Sequence, residues 1–430
     1  MKKLLALSLF IAITAYGYAQ KVDKLIKEKD IKRIIKTLSA DDMQGRGTFT
    51  PGIEKAAQFI EGEFKHIGLK PLMGANSFRQ NIPITRITPV KTEAYINGKA
   101  INADSVVTYA AAGAFFWDSA NDDARLAIIG DNADFRTEYR KYMQSDKKML
   151  ILVAPKFATN FKSLKARLDQ GSLTAEPGNK ALVFVLTNLT DVKTFTVQYN
   201  GKLEQPPLFN VVGMLPGKSK PDEYVIFSGH YDHLGISKPM EGDSINNGAD
   251  DDASGTTAVI ALAKYFKKLD NNARTLIFVT FTAEEIGGYG SQYFGKVVNP
   301  DKSVAMFNIE MIGKASKFGE NSAFITGFER SDFGPILQKN LEGTTFKFYP
   351  DPYPEQDLFY RSDNATLAKL GVPAHTISTD QIDIDKLYHT VKDEFSSLDV
   401  KNITATIKAI ALSSRGIVAG TDTPTRVTKQ

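Results

Sequence analysis

The 430-residue chain contains no cysteine. Disulfides and thiolate metal sites are therefore excluded, and stability must come from a buried apolar core. Histidine is scarce, with 5 in the chain, so an imidazole inside a motif carries weight. Beyond the first twenty or so residues no apolar run is long enough to cross a bilayer, which speaks against a stable membrane span. Basic blocks are missing as well. Lys and Arg number 53 against 49 Asp and Glu, a formal net charge of +4, and nucleic-acid binding has little support.

What is present is an ordinary globular composition, 42% hydrophobic, in a chain long enough for two or three domains. Its start has the pattern of a targeting segment. Lys2 and Lys3 precede an apolar stretch from Leu4 to Ala15, and Gly17 and Ala19 supply the small residues before a cut. Removal of residues 1–19 as a signal peptide, with a secreted or periplasmic mature protein, is expected.

Leu25, Ile26, Ile31, Ile34, Ile35 and Leu38 recur at helical spacing. A second helix is expected from Pro51, with Ala56, Ala57, Phe59, Ile60, Phe64 and Ile67 on one face and Gly68 ending it. Between them Gly45-Arg46-Gly47 reads, on spacing alone, as a flexible turn. From residue 84 to 205 short strand-like runs (125–129, 149–153, 182–186) alternate with polar turns, and no cluster of histidines and acids appears. Trp117, beside Phe115 and Phe116, reads as core. This segment is expected to be an inserted β-rich domain.

After Leu208 apolar strand-like runs alternate with helical ones, at 209–215, 224–228, 275–281, 304–309, 323–326 and 374–378. Val259, Leu262, Ala263, Phe266 and Leu269 mark an amphipathic helix between the second and third of these runs. A last helix is expected over 403–418. Residues 20–83 and 206–430 together predict an α/β domain, a mostly parallel mixed sheet covered by helices on both faces.

The chemistry gathers at strand ends. His230, Asp251, Glu285 and Glu310 each end a strand or enter a loop, and His389 is a fifth metal-competent side chain. Each has a bland reading when taken alone. Asp250 to Asp252 could be a solvated helix start with Asp252 or Ser254 as its cap, and Glu284-Glu285 a charged first turn. Together they are harder to dismiss, because consecutive strand ends converge in a parallel sheet. Buried carboxylates that close repel unless a cation neutralises them. His66, His233 and His375 read as surface or hydrogen-bonded histidines, with His233 near enough to line the cleft.

In order, the chain carries HYDHLG, GADDDASG, TAEEIGGYGS, NIEMIG and YHTVKD. Across 25–83 and 208–415 these motifs resemble the co-catalytic di-zinc aminopeptidase family. Its superfamily also contains glutamate carboxypeptidases, glutaminyl cyclases and the transferrin receptor. LSADDMQGRGTFTPG resembles the family's N-terminal segment, so Gly45-Arg46-Gly47 is expected to be more than a turn. The 84–205 insert stands where many members carry a protease-associated domain, a likeness of position only.

The resemblance implies two Zn²⁺ ions per chain. His230 would bind the first, its ring oriented by Asp232, and Asp251 would bridge both. Glu310 would complete the first site, at a position that is Asp in many members. Glu285 and His389 would hold the second ion, and Glu284 would be the general base. Asn364 stands where His is common, which bears on substrate contacts rather than on the metals.

The activity implied is that of a zinc-dependent exopeptidase acting on peptide substrates. An aminopeptidase using a metal-activated water is the first expectation. Glutaminyl-cyclase-like acyl transfer stays open, as does a carboxypeptidase with Arg361 meeting the terminal carboxylate. A metal-free binding module is opposed by the presence of a candidate for every ligand. The cleft is expected between the loops around Tyr231-Asp232-His233 and Asp351 to Arg361.

Overall fold

The computed structural model describes residues 22–430, so the targeting segment expected at 1–19 lies outside the described residues. The chain forms two compact units, one running up to Ile82 and resuming over Phe209–Gln430, the other spanning Pro83–Leu208.

The first unit is built on a nine-stranded sheet. Its strands are β1 (Lys70–Pro71), β2 (Arg79–Asn81), β3 (Phe209–Leu215), β4 (Lys220–His230), β5 (Arg274–Phe281), β6 (Ser303–Ile309), β7 (Ser322–Ile325), β8 (Lys347–Pro350) and β9 (Ala374–Ser378). They lie in the order β1-β3-β5-β4-β6-β9-β7-β8, with β2 beside β3. The central run β5-β4-β6-β9 is parallel. Antiparallel pairs of β3 with β5 and of β7 with β9 flank it. The sheet is thus mixed, and parallel through the part that positions the site.

The central strands are mainly apolar because both faces are covered. Along β4, Val225 and Phe227 enter one core, whereas Ile226 points into the other. Five helices matter here: α1 (Glu28–Leu38), α2 (Pro51–Ile67), α3 (Ala253–Leu269), α4 (Tyr289–Val297) and α5 (Val400–Ser413). The first face carries α1, α2, α3 and α5 through Ile35, Ile60, Leu262 and Ile407, and the second carries α4 through Phe294. Phe227 stacks on Phe266, Phe278 and Phe307, which ties β4 to α3, β5 and β6. Gly68 closes α2 at φ 81°, the left-handed turn expected of a glycine stop.

The helix expected over 403–418 is divided. It stops at Ser413, and a separate short helix covers Arg415–Ala419. The hydroxyls of Ser413 and Ser414 both donate to the Ile410 carbonyl, and such back-bonding competes with the helix ladder.

The second unit contains two sheets and two helices. Thr85–Ile96, Phe195–Glu204 and Ala114–Asp118 form the centre of one sheet. Val106–Ala110, Ala181–Leu186, Lys148–Val153 and Arg125–Ile129 form the other, with helices at Phe135–Met143 and Ala158–Leu168. Trp117 is 1% exposed and stacks on Phe115, while Phe116 between them is 61% exposed, the alternation of a half-buried strand.

Candidate metal centre

The site is assembled at the carboxyl ends of the three adjacent parallel strands. His230 is the last residue of β4, Glu284 and Glu285 follow β5, and Glu310 follows β6. Asp251 arrives on the loop that starts α3, whose first turn packs under the end of β4. Asp252 is the N-cap of α3, accepting from Gly255 N at 3.0 Å. Its other contacts are the amides of His230 and Met311, at 3.1 and 3.2 Å. One buried carboxylate thereby joins three chain segments. Asp250, Asp251 and Asp252 are all buried, so the solvated helix start considered above does not exist.

Asp251 faces two histidines with two different oxygens. Its Oδ1 is 3.1 Å from His230 Nε2, and its Oδ2 is 3.2 Å from His389 Nε2. His389 Nε2 is also 3.2 Å from Glu285 Oε2, and His230 Nε2 is 3.9 Å from Glu310 Oε1. Donors held at ~2.0 Å by a tetrahedral zinc stand about 3.3 Å apart. Three of these four separations are close to that spacing, and Asp251 is shared by both groups.

Two orphaned atoms support the fit. His230 Nε2 and Glu310 Oε2 are buried and have no hydrogen-bond partner among the described residues. On its far side, His230 Nδ1 lies 3.1 Å from the Asp232 carbonyl oxygen, which can only accept. The proton therefore sits on Nδ1 when Nε2 offers its lone pair to a metal. Without metal, burial would disfavour charge on both rings. Asp251 and its acidic neighbours outweigh this, lifting His230 well above its usual value and His389 to about 10. Burial likewise pushes Asp251 up, and the surrounding imidazoles overcome it, holding that carboxyl well below the carboxylate range. Protons on imidazoles take the place of the cations.

Glu284 has a different environment from Glu285. Burial raises its carboxyl well above the usual range, and Glu310, Asp363 and Glu285 add to the effect. It lines the cleft with Asp251 and Glu310. Asp232 fixes the two-glutamate turn, accepting from Glu284 N at 3.1 Å and Glu285 N at 3.3 Å. Its carboxylate is 3.8 Å from His230 Nδ1, so the ring is oriented mainly by the Asp232 main chain.

Three further residues take part. Arg46 is fully buried and donates to the carbonyls of Leu38, Tyr231, Asn247 and Gly248. The Gly45-Arg46-Gly47 segment is therefore a clamp on the loops that carry His230 and Asp251, not a flexible turn. Asp393 accepts from the amides of Asp250 and Asp251, linking the His389 loop to the bridging aspartate. His233 Nδ1 lies 2.7 Å from Glu285 Oε1. No spacing in the sequence signals these partners, since each lies at least fifty residues from what it holds, Leu38 excepted.

Met311, Phe324, Leu358 and Tyr388 are among the walls of the cleft. Leu358 and Arg361 come from the second loop expected to line it. The first loop does not. Tyr231, Asp232 and His233 are buried behind the centre, with Tyr231 Oη donating to the Phe209 carbonyl. Asn364 is buried too, donating to the carbonyls of Phe359 and Ala374, and is absent from the cleft wall. His375 is a buried, hydrogen-bonded histidine between Ser331 and the Thr326 carbonyl.

Residues 210–413 match the family model of peptidase family M28. A probable zinc metalloprotease of Pyrenophora teres is 36% identical over 108 residues, 24% of this chain and 23% of that protein. Leucine aminopeptidase 1 of Paracoccidioides brasiliensis is 25% identical over 260 residues, 56% of this chain and 64% of that protein. The chain thus spans less than two thirds of the length of the curated relatives it matches. Among solved structures, an aminopeptidase from Aneurinibacillus sp. strain AM-1 superposes with a TM-score of 0.54 at 17% identity, over 96% of this chain and 97% of that one. Strand order and the match over 210–413 agree, and this part of the chain is similar to peptidase family M28.

Proposed function

We propose that this protein is a zinc-dependent exopeptidase that removes residues from the amino end of peptides and acts outside the cytoplasm. The observation that carries the reading is Asp251, with one oxygen toward His230 and the other toward His389. In this reading His230, Asp251 and Glu310 hold one zinc, and Asp251, Glu285 and His389 hold the other. Zinc bound there would polarise the scissile carbonyl and make a water acidic enough to act as nucleophile near neutral pH.

The chain's own residues do the rest. Glu284 lies in the cleft between Asp251 and Glu310 and has no salt bridge of its own among the described residues. It would take the proton of the attacking water and give it to the leaving amine. The acids around the centre supply acceptors for a free α-amine. The apolar walls suit a non-polar side chain at the cleaved end.

The test has two arms. Elemental analysis of purified active protein should find two zinc ions per chain. A peptide should be hydrolysed at its amino end, should resist when N-acetylated and should be cleaved when C-amidated. If acetylation has no effect and amidation abolishes cleavage, Arg361 at the cleft becomes the carboxylate-binding group of a carboxypeptidase.

A further inference from the structure

His233 is the imidazole that the ligand set leaves over, yet it makes the shortest contact to a ligand in the centre. We propose that His233 positions Glu285 for the second metal, its Nδ1–H holding Oε1 so that Oε2 is presented with Asp251 Oδ2 and His389 Nε2. The inference rests on the two-zinc reading above and names a residue that reading does not use.

Distance separates positioning from ligation. His233 Nδ1 is 2.7 Å from Glu285 Oε1, whereas Glu285 Oε2 and Asp251 Oδ2 are each 3.2 Å from His389 Nε2. Two donors on one tetrahedral zinc stand about 3.3 Å apart. The longer pairs fit that edge, and the shorter one fits a charge-assisted N–H···O bond.

The ring is held in one pose. Its side chain is fully buried. The His233 amide donates to the Arg46 carbonyl at 3.2 Å, and Gly47 bridges to the same residue. The ring lies against Gly248, where an added Cβ would come within 2.5 Å of His233 Cδ2. Only a glycine leaves room for it.

The tautomer follows from the partners. A carboxylate only accepts, so Nδ1 carries the proton. Nε2 is buried with no hydrogen-bond partner among the described residues, so nothing competes for the ring. A glutamate carboxylate otherwise swings about flexible torsions and can turn either oxygen, or both, toward an ion. Fixing Oε1 removes that freedom before metal arrives. Hydrogen bonds of this kind to a metal-ligating group change affinity by about 10–100-fold.

The test is zinc titration of the metal-free full chain in competition with a chromophoric chelator. Wild type should show two sites. His233→Ala should weaken one of them about 10–100-fold and leave the other alone. His233→Asn, whose amide can donate from near the Nδ1 position, should recover most of the loss. Melting of the metal-free variants reports any general damage to the fold. Unchanged affinity at both sites in His233→Ala overturns the inference. So does equal weakening of both sites that His233→Asn fails to restore. Loss of one equivalent even at millimolar zinc overturns it too, because His233 would then be a ligand. A wild-type chain that binds no zinc would overturn the two-zinc reading itself, an outcome distinct from all of these.

Discussion

Glu284 and Glu285 are neighbours in sequence with opposite surroundings. Glu285 is engaged by His233 and His389, while Glu284 faces the cleft among other acids. Glu284→Gln should therefore keep zinc content and fold and lose turnover by ~10²–10⁴, the range for deleting a general base. Glu285→Gln should lower zinc occupancy instead. Metal analysis beside steady-state rates separates the two, and equal metal loss in both would refute the division. Glu310→Asp tests the first site, since shortening a carboxylate whose Oε1 is 3.9 Å from His230 Nε2 should alter zinc affinity without unfolding. His375 gives a pH prediction. Burial pulls its ring down to about 4, and the Thr326 carbonyl only partly opposes this. An unfolded histidine titrates near ~6.5, so below that pH the unfolded chain binds a proton that the native chain refuses. Stability should be full above ~6.5 and fall by roughly 3 kcal/mol as pH drops toward the native value. Urea midpoints across that window should decline, less steeply in His375→Asn. The residues proposed here as metal ligands could be singled out in the sequence because each stands beside an apolar strand run or inside a motif. His233, Arg46 and Asp393 were not, because what they hold comes from remote parts of the chain.

At the scale of elements, the site depends on how closely α3 approaches the sheet. Gly255, in the first turn of α3, is where the approach is tightest, since a Cβ there would stand 2.0 Å from the Ile309 carbonyl oxygen and 2.5 Å from both Asp252 carboxylate oxygens. Gly255→Ala would push the helix off β6 and disturb the carboxylate that joins His230, Met311 and Gly255. The cost should be at least about 1–3 kcal/mol, the usual range for overpacking, seen as a lower melting temperature. Zinc binding should weaken as well, because Asp251 precedes that carboxylate. A variant with wild-type melting and zinc affinity would show that the turn yields. Helices and central strands followed from periodicity, as at Pro51–Ile67 and Ala374–Ser378. The order of the strands did not. Insertion of β5 between β3 and β4 is a matter of pairing, and an apolar run carries no label for its neighbour. The break at Ser413-Ser414 also escaped, because hydroxyl back-bonding is invisible to a pattern of apolar residues.

At the scale of the molecule, the two units have separate cores. The clusters around Phe227 and Ile226 draw only on residues up to Ile82 and from Phe209 onward, and those around Trp117 and Phe161 only on Pro83–Leu208. The chain enters and leaves the second unit on paired strands, because Thr85–Ile96 runs antiparallel to Phe195–Glu204 with Arg86 opposite Glu204. Cα atoms facing each other across such a pair are ~4.5–5.5 Å apart, a gap that a short Gly/Ser linker spans. Residues 85–205 should therefore be removable, leaving a chain that melts cooperatively and binds zinc as the full protein does. All the ligands proposed here lie outside the excised segment. The excised segment, expressed alone, should also fold, since it keeps both of its clusters, and should bind no zinc at the sites described. Calorimetric melting and zinc titration of the two pieces give the answer. If the shortened chain fails to fold while the isolated segment does, the first unit needs the second for stability and the cores are not independent. If the shortened chain folds and binds zinc but loses peptide cleavage, the second unit acts on substrate rather than on structure.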